Sequence, residues 1–127
     1  MSRKSSSRIA SALLALHGLI EITGLVFIKS APNTLISFGG LTGSLLEQNI
    51  QMVGMFGALW GLARFIAAGG IWSLRKWALT LGIILSSITV IAAITIIPAG
   101  VADTLFALSA LILLLHAWFG NEIKEII

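Results

Sequence analysis

Four apolar runs, each close to twenty residues long, limit what this chain can fold into: Ile9 to Ile28, Ile50 to Ala68, Trp77 to Ile97 and Val101 to Phe119. A helix rises about 1.5 Å per residue, so each run matches the roughly 30 Å hydrocarbon core of a bilayer. Backbone inside that core must satisfy its own hydrogen bonds, which a helix does within one segment. Composition agrees, with 57% hydrophobic and 10% charged residues against about 25% charged in a soluble domain. The expected fold is all-α, a four-transmembrane-helix bundle forming one integral membrane domain over residues 1–127. Arg3, Lys4 and Arg8 ahead of the first run also suit a secretory leader. That run is long, carries His17 and Glu21, and lacks a small-x-small cleavage site, so it is expected to stay as a helix.

Charge orients such a bundle. With four spans both termini share a side, and that side collects Arg3, Lys4, Arg8, Arg64, Arg75, Lys76 and Lys124, leaving Lys29 opposite. The positive-inside rule then makes both termini cytoplasmic in a multi-pass protein of the cell membrane. Trp72, Trp77 and Trp118 fall at the same inner boundary, where an indole sits well, while Trp60 lies mid-span and is expected at a helix interface. The basic residues mark segment ends rather than one face, which argues against nucleic acid as a partner. The chain has no Cys, which removes thiol catalysis, disulfides and iron–sulfur clusters.

The connections differ in kind. Pro98 and Gly100 make the third into a tight hairpin, with Asp103 capping or flanking the last helix. The first, from Ser30 to Asn49, is long and half apolar, with Leu35, Ile36, Phe38, Leu41, Leu45 and Leu46 separated by Gly39, Gly40 and Gly43. It is expected either to lie in the interface as an amphipathic lid or to re-enter between helices. Small residues mark packing faces within the spans. Gly54, Gly57 and Gly61 share a stripe with Arg64 in the second span, Gly82 and Ser86 begin one in the third with Thr89 and Ala93, and His116 shares a side with Ser109 in the fourth.

LHGLIEITG, residues 16–24, sets an imidazole and a carboxylate four residues apart inside the first apolar run. Measured from Ile9, His17 lies about 12 Å and Glu21 about 18 Å into the slab, near the midplane. Arg64 and His116 come about 6 and 5 Å from the inner ends of their spans. The inner half is therefore expected to gather His17, Arg64 and His116, with Glu21 above them. A bare carboxylate in hydrocarbon costs several kcal/mol, so Glu21 is favoured as the neutral acid unless Arg64 or water compensates. Glu21, His17, Arg64 and His116 are the candidate proton- or substrate-binding residues, and no catalytic set is visible. Haem is disfavoured because His17 and His116, the only imidazoles, differ by about 7 Å in expected depth. No cofactor and no metal are expected.

GLARFIAAGGIWSLRKWALTLG, from Gly61 to Gly82, resembles a family of small uncharacterised prokaryotic four-helix integral membrane proteins. Arg64, Gly70, Trp72, Arg75, Lys76, Trp77 and Ala78 carry the likeness, and Leu16, His17, Glu21 and Gly24 in the first helix are similar too. What this resemblance implies is an orphan four-span protein. EITGLVFIK is similar to the first helix of small multidrug-resistance transporters, on Glu21, Gly24 and Lys29. That likeness implies a membrane glutamate holding protons and a cationic drug in turn, although the first outer loop is longer here and Tyr is absent. Two functions follow as expectations: proton-coupled transport of a small cationic or amphipathic molecule, with two copies forming the pathway, or a non-catalytic scaffold or accessory subunit that self-associates or docks a partner membrane protein.

Overall fold

A computed structural model describes residues 2–30, 39–97 and 100–119. Leu35, Ile36, Phe38, Pro98, Lys124 and the side chain of Lys29 lie outside that description. The chain folds into α1 (Arg3–Ser30), α2 (Gly43–Gln48), α3 (Ile50–Trp72), α4 (Lys76–Ile94) and α5 (Val101–Trp118). All but α2 are long and apolar enough to cross a membrane. Their large apolar side chains point outward, among them Leu19 and Ile20 on α1, Phe56 and Leu59 on α3 and Ile91 on α4. A water-soluble bundle would bury that surface; lipid is the solvent that suits it.

The helices do not coincide with the apolar runs, and the reasons are local. α1 starts six residues ahead of Ile9 because the hydroxyl of Ser2 accepts the backbone N–H of Ser5 at 3.1 Å, capping a first turn of polar residues. α3 continues past Ala68 to Trp72, where the N–H groups of Ser73 and Arg75 close on the carbonyls of Gly69 and Gly70, and Leu74 takes a left-handed conformation at φ 59°. α4 stops at Ile94, short of Ile97, because Thr95 and Ile96 turn back onto the Ala92 and Ala93 carbonyls.

α1 packs against α3 and α5, and α4 against the same two, so α1 and α4 occupy opposite corners of a square bundle. The α1–α3 seam is the most extensive. At its centre Gly18 and Gly61 meet backbone to backbone: a Cβ on Gly18 would stand 2.7 Å from the Gly61 carbonyl oxygen, and one on Gly61 would stand 2.6 Å from that of Gly18. At Gly82 all four long helices converge, with the side-chain ends of Leu14, Ile71 and Leu114 crowding the place a Cβ would take. These residues, with Leu79 and Leu85, form the dry core.

One end of the bundle is basic. There Arg8 lies over the Trp72 ring and Lys76 over that of Trp118, at 5.2 and 5.4 Å from the centroids. The opposite end, called here the loop end, is stepped. Ser6 pairs with His116 and His17 with Asp103, so α5 begins level with about residue 20 of α1, which continues to Ser30. The recess over α4 and α5 is covered by residues 39–49. Gly39 and Gly40 turn the chain through positive φ, and Thr42 binds Thr95 through both its N–H (3.2 Å) and its hydroxyl (2.8 Å).

Candidate functional site

Four ionisable side chains from three helices meet beneath that recess. The 28 residues of α1 carry both His17 and Glu21 on the face turned toward α3 and α5, since four residues make about one turn. Nη1 of Arg64, from α3, lies 3.2 Å from Oε1 of Glu21. Nε2 of His17 lies 3.5 Å from the same oxygen and 2.9 Å from Oδ1 of Asp103, in the first turn of α5. The His17 ring is held from its other side by Phe106, with centroids 5.4 Å apart. Arg64 and His17 are almost wholly buried at 1% and 2% exposure, whereas the Asp103 side chain is 46% exposed.

α4 contributes a hydroxyl rather than a charge. Thr89 accepts hydrogen bonds from Nη2 of Arg64 and from Nε1 of Trp60 (3.2 Å), and donates its own proton to the Leu85 carbonyl at 2.8 Å. One hydroxyl thus spends its donor and both its acceptor sites, and fixes the guanidinium against Glu21. Thr89→Val keeps the shape and removes all three bonds. It should cost about 1–3 kcal/mol, read as a lowered unfolding temperature in detergent, with Thr89→Ser close to the parent.

A cavity of about 410 Å³ opens beside this cluster in the loop-end half, between α3 and α4 and under α2. Glu21 and Asp103 supply its charge, Thr42, Thr89 and Thr95 its hydroxyls, and Phe56, Trp60 and Ile88 much of its apolar wall. Such a volume, mainly apolar with a few convergent polar groups, suits a small organic molecule. Toward the basic end the dry core around Gly82 stands in the way.

Three of the four expected site residues come together and one does not. Glu21, His17 and Arg64 share the cluster, but His116 sits at the basic end, where its Nδ1 is 2.7 Å from the Ser6 hydroxyl. Eleven residues of α1 separate Ser6 from His17, about 17 Å along the axis, so the two imidazoles cannot face one another. Arg64 stands eight residues, about 12 Å, from the end of α3 rather than 6 Å, because α3 runs on to Trp72. Glu21 lies about level with the start of α5. Asp103 flanks the start of α5 as expected, in its first turn, and from there also faces His17.

Among the packing positions, Gly54, Gly61, Gly82 and Ser86 are buried, and the Ser86 hydroxyl makes no hydrogen bond. Gly57 differs: a Cβ there would meet nothing within 4 Å, and it lines the cavity instead of touching another helix. Among the described residues no three of His, Asp and Glu are disposed to hold a metal ion. Comparison with models of protein families, with curated proteins and with solved structures finds no match to this chain.

Proposed function

We propose that this is a multi-pass protein of the cell membrane, both termini cytoplasmic, that exchanges protons for a small cationic or amphipathic molecule at Glu21. The observation that carries this reading is the cavity wall: two carboxylates, Glu21 and Asp103, border an otherwise largely apolar space of about 410 Å³ beside His17 and Arg64. Carboxylates attract a cation, and the Trp60 ring and the aliphatic wall suit its apolar body. Arg64 compensates Glu21 and keeps it from binding a cation too tightly to release it. The packed core at Gly82 separates the cavity from the basic end, as one-sided access requires. The Glu21, Gly24 and Lys29 spacing supports the same reading. The cavity is bounded within one chain, so a homodimer, also proposed, is not needed to enclose it.

The test is uptake into proteoliposomes of N-methylacridinium, a permanently charged fluorescent cation, driven by a pH gradient. Wild-type protein should accumulate the dye above protein-free vesicles, and collapse of the gradient should abolish the difference. Equal uptake with and without protein would refute the proposal for this class of cation.

A second reading, a scaffold that self-associates or docks a partner membrane protein, draws on the exposed Gly69, beside which there is open space. Under it, Gly69→Leu should shift the oligomeric state measured by light scattering in detergent. An unchanged mass would remove that support.

A further inference from the structure

Resting on that reading, we propose that the cluster exchanges one proton for one monovalent cation without net movement of charge, the proton being held among Glu21, His17 and Asp103. Among the described residues, the ionisable groups facing His17 are Glu21 from α1 at 3.5 Å, Asp103 from α5 at 2.9 Å, and Arg64 from α3 through Glu21. The sequence of α4 adds only Lys76, at the opposite end of the bundle. A guanidinium keeps its charge. With both carboxylates ionised and His17 neutral, the cluster therefore carries one net negative charge; with one proton added among those three groups it carries none. An unbalanced charge among apolar helices is costly, so the balanced form is the resting one.

His17 bridges the two carboxylates, its Nε2 facing both at once. When a monovalent cation enters the cavity against Glu21 and Asp103, it supplies the missing positive charge. The cluster then releases its proton to water in the cavity that both carboxylates line, the electron pair staying on the atom that held it. An anion would add an unbalanced charge, and a neutral molecule would displace nothing.

The test counts protons. Full-length protein in weakly buffered detergent solution is titrated with N-methylacridinium, whose own charge does not depend on pH, while an indicator follows the protons released. Below the titration range of the site one proton should appear per dye bound, and affinity should tighten about tenfold per pH unit there. Asp103→Asn, checked for helicity by circular dichroism, leaves Arg64 and Glu21 balanced, so its proton release should fall close to zero. In proteoliposomes, dye uptake should not respond to a potassium diffusion potential. Release of zero or two protons by the wild type, or uptake that follows the potential, would overturn the one-for-one exchange, while pH-driven uptake would leave the transport reading standing. One proton per dye without any uptake would support the exchange and remove transport; no binding at all would remove both.

Discussion

Glu21→Gln should bring pH-driven uptake of N-methylacridinium down to that of protein-free vesicles while the protein still extracts and folds. The amide has the shape of the acid but not its charge. Arg64 then faces only Asp103 across the cluster as a compensating anion, the remaining charges balance without an added proton, and a cation entering the cavity has nothing to displace. Removing one member of a buried ion pair can cost about 3–5 kcal/mol. The cost here should be smaller, because the guanidinium keeps its bond to Thr89. Helicity and elution volume should therefore survive. Uptake by Glu21→Gln comparable with wild type would exclude Glu21 as the exchanging group.

Gly61→Leu should do the opposite, damaging the fold first. Its side chain would have to occupy space held by the Gly18 carbonyl oxygen, 2.6 Å from where the first carbon must go, and by Glu21 and Ile22 just beyond. Backbone cannot yield as a flexible side chain does, so α1 and α3 must separate along the most extensive seam of the bundle. Overpacking of this kind costs about 3 kcal/mol or more, lowering the unfolding temperature in detergent by roughly 10 °C or beyond. Gly57→Leu, four residues away on the same helix, meets open space and should leave stability nearly unchanged. Similar melting of the two variants would show that α1 and α3 do not meet at Gly18 and Gly61.

That contrast marks how far the sequence could be read. The small-residue stripe through Gly57 and Gly61 was visible from spacing, but which glycine carries a neighbouring backbone depends on how α1 and α3 cross, and spacing within one helix does not contain that. His17 and Glu21 were legible as a pair because a polar residue inside an apolar run needs a partner and one turn of helix joins them, whereas depth set Arg64 with His17 and His116, below Glu21. Asp103 was not legible as their partner, because it stands near the edge of its run, where a helix-flanking acid is ordinary. The apolar boundaries do not mark the helix ends. The helix ends are set instead by the Ser2 cap and by the turn after Ile94, which raise α1 relative to the recessed hairpin. His116 lies at the basic end, opposite Ser6, and the run of α1 from Ser6 to His17 keeps it from the cluster. The tie between Thr42 and Thr95, 53 positions apart, left no local trace at all.

The absence of Cys makes the central claim, a charged cluster sheltered among helices yet reached through a wet cavity, open to a direct measurement. Single cysteines at Ala92, on the cavity wall, and at Leu79, in the dry core, can be exposed in native membranes to a small maleimide, which reacts with the hydrated thiolate. Ala92→Cys should label, and N-methylacridinium should slow that labelling, while Leu79→Cys stays unreactive until the protein is denatured. Equal labelling at both positions, or an Ala92→Cys that is inert in the folded protein, would contradict the account.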